Sequence, residues 1–189
     1  MVELDPTATL HAFDAFLAGE GLSFEGVVIG GAALHVLGYI TRSTDDVDVL
    51  IPQVPEAIAE AAARFAALEH TAPNDGAWFN SKSYDFVGLR GCLPGGWQDR
   101  LQPLLEGQAL HLQTLARQDL LCTKLVALVD REEDLGDCIA MAPSVAELDA
   151  AWPFVEQYEG NAEVREVYWI PKARAHYAQL MKALGHDGA

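Results

Sequence analysis

Basic residues are scarce in this chain. Twelve lysines and arginines face 28 aspartates and glutamates across 189 residues, for a formal net charge of −16. Nonspecific nucleic-acid binding depends on Lys and Arg neutralising phosphates, so this balance argues against it. A nucleic-acid partner would have to meet a small basic patch, or a partner protein would have to supply the charge. Cysteine is scarce as well: Cys92, Cys122 and Cys138 are too few and too scattered for a disulfide framework or a zinc site. No apolar run approaches the roughly 20 residues that span a bilayer. The opening MVELDPTATL is acidic, where a signal peptide would be basic and then apolar. The expectation is a cytoplasmic protein with no membrane segment. What remains is ordinary for a globular chain, 50% hydrophobic and 21% charged. It is enough for one sizeable domain, or one domain with a helical extension.

Residues 9–17 place Leu10, Phe13, Phe16 and Leu17 at helical spacing, with Gly19 and Gly21 as stops. Val27 to Ile29 form a short apolar strand ended by Gly30 and Gly31. A short helix over residues 32–37 stops at Gly38, and a second strand over residues 46–51 is cut off by Pro52. An alanine-rich helix follows over residues 55–68, with Pro55 at its first turn. Residues 78–87 read as extended, residues 88–97 (GLRGCLPGGW) as a loop rich in Gly and Pro, and residues 109–115 alternate as a half-buried strand does. From Gln118 onward the pattern is helical. The expectation is an α/β (α+β) core over residues 1–117, a mixed sheet flanked by helices, with residues 118–189 as a helical C-terminal part packed on it.

Three aspartates, Asp45, Asp46 and Asp48, sit in or beside a strand whose other residues belong in a core. Carboxylates there are costly to desolvate. Side chains two apart on a strand share a face, so Asp46 and Asp48 project together while Val47 and Val49 turn to the apolar side. Two such carboxylates repel unless a cation lies between them, and a hard, oxygen-seeking ion such as Mg²⁺ suits them. The alternative is a solvated strand end whose aspartates cap a turn. Gly30 and Gly31 stand at a strand-to-helix junction where backbone N–H groups can approach an anion, or where the chain simply turns tightly. The short helix between glycines and aspartates returns the chain, so the second strand begins near the glycine turn. Phosphoryl chemistry rests on such positioning and charge neutralisation. Arg42 is a fitting phosphate clamp, since its fork contacts two oxygens.

The order Gly-Gly, helix, then G-x-x-x-R-x-T-x-D-h-D-h (Gly38, Arg42, Thr44, Asp46, Asp48) resembles the nucleotidyltransferase superfamily with the DNA polymerase β-like fold. Within it the chain is similar to small bacterial toxin–antitoxin nucleotidyltransferases and to the DUF6036 group. The resemblance extends over residues 24–141. It takes in W-x-x-R-L (Trp97, Arg100, Leu101) and a K-x-x-A-x-x-x-R-x-x-D-x-x-D run (Lys124, Ala127, Arg131, Asp134, Asp137). It implies transfer of a nucleoside monophosphate from an NTP to a hydroxyl on a macromolecule, such as a tRNA 3′ end or a partner protein. Asp46 and Asp48 would be the catalytic metal ligands, with Mg²⁺ as cofactor and Mn²⁺ as the alternative. Gly30, Gly31, Arg42 and Thr44 would contact the nucleotide. Lys124 and Arg131 share a helical face and could bind its phosphates, or pair with aspartates as structure. Asp137 approaches Lys124 only if the helix breaks between Glu132 and Gly136. The resemblance also implies a third carboxylate on a later strand, where residues 109–115 offer only His111 and Gln113. Asp85 is a candidate, and there is no acid near Asn80 and Ser81. The rival expectation is therefore a catalytically degenerate binding module, or an antitoxin-like partner of a cognate protein.

Overall fold

A computed structural model describes residues 4–69, 77–82 and 93–186. The chain forms two compact units, Met1–Asp85 with Arg100–Leu115, and Phe86–Asp99 with Ala116–Ala189.

The first unit is built on a mixed five-stranded sheet of order β3-β2-β1-β5-β4. Its strands are β1 (Phe24–Ile29), β2 (Val47–Ile51), β3 (Phe79–Asn80), β4 (Gln102–Glu106) and β5 (Leu110–Thr114). β1 runs antiparallel to β2 and parallel to β5; β2 is parallel to β3, and β4 antiparallel to β5. β4 is absent from the sequence expectation for a physical reason. It carries Pro103 and has no alternation, and such a strand survives because it lies at the sheet edge, pairing on one side only.

Helix α1 (Pro6–Glu20) extends beyond its expected bounds. Asp5 caps it by accepting from the Ala8 N–H, and Gly21, at φ 68°, ends it. Its inner face drives Phe13 against Phe65 of α3 (Glu56–Glu69) and against Trp78 and Phe79, with ring centroids 5.0–5.4 Å apart. The Trp78 indole N–H donates to the Ala62 carbonyl at 3.0 Å. This aromatic core fixes the short β3 strand. Asp14, also on α1, accepts from the backbone N–H groups of Gln108, Ala109 and Leu110 and so clamps the β4–β5 turn. Burial pushes its carboxyl up, but these three donors outweigh burial and hold it below the usual carboxylate range.

The second unit carries the helices α4 (Arg117–Arg131), α5 (Leu135–Ala140), α6 (Val145–Glu156) and α7 (Ala162–Val164), the last running through a π-helical turn, Arg165–Trp169, into α8 (Ile170–Ala183). Pro153 lies within α6, and a capping box opens it: Ser144 and Glu147 each bond the other's backbone N–H. Trp152 and Trp169 are buried. The Trp169 indole donates to the Val155 carbonyl at 2.7 Å.

Candidate functional site

The two glycines open α2 (Gly30–Val36) rather than closing the strand before it. Gly30 adopts φ 75°, a conformation that disfavours any side chain. A Cβ there would also meet Asp48 Oδ2 at 3.0 Å, a tight contact that the carboxylate would have to yield to. The antiparallel pairing of β1 and β2 explains the approach: Ile29 lies opposite Asp48, so Gly30, the residue after β1, turns past that carboxylate. A Cβ at Gly31 would meet Thr44 Oγ1 at 3.2 Å and the Arg42 guanidinium at 3.5 Å. Gly30, Gly31, Arg42, Thr44 and Asp48 are thereby gathered at one end of β1.

The loop carrying Arg42 and Thr44 is held at several points. Thr44 exchanges backbone hydrogen bonds with Leu4 at 3.2 and 3.3 Å, and its hydroxyl donates to the Asp46 carbonyl at 3.2 Å. His35 Nδ1 lies 2.9 Å from the Arg42 carbonyl, and the Arg42 guanidinium donates to the Ser43 carbonyl at 3.2 Å. Asp46 precedes β2 and Asp48 lies within it, both half-buried, while Val47 and Val49 are fully buried. Asp45 is exposed.

Asn80 was not a candidate from sequence, where it appeared only as a position near which an acid is missing. Its place follows from register: β3 pairs Asn80 with Asp48, and its side-chain N–H donates to Asp46 Oδ2 at 3.3 Å. Among the described residues, no group of three or more His, Cys, Asp or Glu gathers in metal-ligating geometry. Asp85 lies outside the described residues. The donor set still fits magnesium, which commonly takes one or two protein carboxylates and completes its shell with water and substrate phosphates. The space a side chain at Gly30 would fill, beside Asp48, is consistent with such a ligand approaching closely.

Lys124 and Arg131 belong to the second unit. The helix break expected between Glu132 and Gly136 is present: α4 ends at Arg131, Glu132 takes φ 66°, and α5 begins at Leu135. The turn brings Asp134 Oδ1 and Asp137 Oδ2 each to 2.7 Å from Lys124 Nζ, in a pocket where the lysine is 6% exposed. Arg131 reaches Asp134 Oδ2 at 3.1 Å and is itself largely exposed. The acidic run Glu132–Asp134, which has the composition of a solvated helix start, therefore departs from that pattern at Asp134. That residue is drawn inside because a buried ammonium needs a counter-ion. Cys138 sits beside this cluster. Burial first, and then the negative charge of Asp134, push its thiol up to about 12.

A family model described as "Nucleotidyltransferase of unknown function (DUF6036)" matches residues 9–176. Among solved structures, the chain is similar to an antigenic nucleotidyltransferase-like protein from Paracoccidioides brasiliensis. The two are 16% identical over 97% of this chain and 94% of that one, with a TM-score of 0.47. No curated protein matches the sequence.

Proposed function

The chain belongs to the DUF6036 family of nucleotidyltransferases, and from that premise we propose that it transfers a nucleoside monophosphate from an NTP to a hydroxyl on a macromolecule. The observation that carries this reading is the placement of Asp48 against left-handed Gly30, with Asp46 two residues away at the head of the same strand. Asp46 and Asp48 hold Mg²⁺, or Mn²⁺ in its place. When bound, the ion neutralises phosphate charge and draws electron density from the phosphorus under attack. Gly30 and Gly31 open a helix, so their N–H groups lack partners within it and can donate to phosphate oxygens. Thr44 and Arg42 flank that position. The acceptor oxygen bonds to the α-phosphorus, the bridging P–O bond breaks, and pyrophosphate leaves with the electron pair. The hydroxyl proton passes to solvent.

The acceptor is a tRNA 3′ end or a side chain of a cognate partner protein, in a toxin–antitoxin pair. With 28 acidic residues against 12 basic ones, charge favours the protein, or an RNA delivered by a partner. The cytoplasm is the compartment this reading requires. Among the described residues no helix is long and apolar enough to cross a membrane. A second reading, a catalytically degenerate or antitoxin-like binding module, rests on the sequence, which carries no acid near Asn80 and Ser81.

Calorimetric titration of the four NTPs with Mg²⁺ tests both readings. Metal-dependent binding is expected for the unaltered chain, and none for Asp46→Asn/Asp48→Asn. Absence of binding at millimolar nucleotide overturns the isolated enzyme and leaves a partner-dependent enzyme or a degenerate fold. Binding without pyrophosphate release, in the presence of acceptor RNA and partner protein, leaves the module.

A further inference from the structure

The side chain of Asn80 is fixed on three sides. Its Oδ1 accepts from the Lys82 backbone N–H at 2.9 Å, and its Nδ2 donates to the Ala77 carbonyl at 3.1 Å and to Asp46 Oδ2 at 3.3 Å. The two main-chain partners leave no choice of orientation. Lys82 N can only donate and the Ala77 carbonyl can only accept, so the NH₂ end must face Asp46. The residue is 8% exposed, and β3 holds it beside Asp48 through the ladder and the aromatic packing of Trp78 and Phe79. A buried amide with both donors engaged, one on a main-chain carbonyl and one on a carboxylate, is a rigid support for that carboxylate.

Resting on the nucleotidyltransferase reading, we infer that Asn80 is a positioning residue for the metal site. It anchors Asp46 Oδ2 through a neutral donor, so that the Asp46 carboxylate is already oriented beside Asp48 before Mg²⁺–NTP arrives. Outer partners that orient metal-ligating side chains typically change metal affinity by about 10–100-fold when removed.

The test is a double-mutant cycle on Mn²⁺–ATP affinity, measured by calorimetry on the full chain. The proteins are unaltered, Asn80→Ala, Asp46→Asn and the double variant, each with its thermal midpoint and its affinity for metal-free ATP. Asn80→Ala is expected to weaken Mn²⁺–ATP binding about tenfold and leave metal-free ATP unaffected. In the Asp46→Asn background it is expected to add nothing, because the group it acts through is already gone. Asn80→Ser, which keeps a small polar group but cannot span to Asp46, is expected to match Asn80→Ala and serves if that variant does not fold. Unchanged Mn²⁺–ATP affinity in both Asn80 variants overturns the inference. So does an equal loss in both Asp46 backgrounds, which marks a structural strut. If the unaltered chain binds none of the four NTPs with Mn²⁺, the nucleotide reading fails and the inference falls with it; if it binds and only the cycle fails, the inference falls alone.

Discussion

Lys124 shows how one residue can settle the conformation of its surroundings. A buried ammonium without counter-ions would cost several kcal/mol, and the two aspartates at 2.7 Å offset that cost only in this geometry. With Arg131 on Asp134, two cations balance two carboxylates. Replacing the lysine leaves Asp137 buried without its ammonium partner. Lys124→Met is expected to lower stability by about 3–5 kcal/mol, as a fall in the urea midpoint. A loss below about 1 kcal/mol would show that the carboxylates are already relieved by water or protonation, and that the lysine is available for other work. The sequence makes the lysine conspicuous among leucines but leaves open what it faces. Only the turn at Glu132 decides that, since Asp137 would lie well round an unbroken helix.

At the scale of elements, the start of α6 is tied to the start of α4. Arg117 Nε donates to Glu147 Oε1 at 2.7 Å, and the Ser144 N–H donates to Glu147 Oε2 at 2.9 Å. The guanidinium bond, then the backbone N–H, hold the Glu147 carboxyl at about 2 against an ordinary 4.5. Its folded value lies below its unfolded one. The stability it contributes is therefore present above about pH 4.5 and lost as pH falls toward about 2. Thermal midpoints measured across that window are expected to fall less steeply for Glu147→Gln than for the unaltered chain. Parallel slopes would refute the assignment. Ser-x-x-Glu before a helical run is legible as a capping box; the partnership with Arg117, 30 residues away, is not. Edge strand β4 was hidden for a related reason: its pairing comes from β5, not from its own pattern.

For the molecule as a whole, the charge of −16 sets what can approach it. Duplex DNA of arbitrary sequence is expected not to bind at physiological ionic strength, as followed by fluorescence anisotropy. Binding that weakens steeply with added salt would reveal a basic patch strong enough to overcome the global field. The same charge makes a divalent cation an effective mediator for a triphosphate, since the Mg²⁺ complex carries less negative charge than the nucleotide alone.

The sequence by itself determined the α/β pattern and the helical character after residue 117. Each of these follows from short-range periodicity, which is written in neighbouring residues. Tertiary structure alone decided that Gly30 meets Asp48 and that Gly31 meets Thr44 and Arg42. It alone placed Asn80 against Asp46 and gave Lys124 its aspartates. Those contacts depend on strand register, on an aromatic core assembled from α1, α3 and the residues leading into β3, and on a left-handed turn. Such features join residues far apart in the chain, and no local pattern specifies which of them will meet.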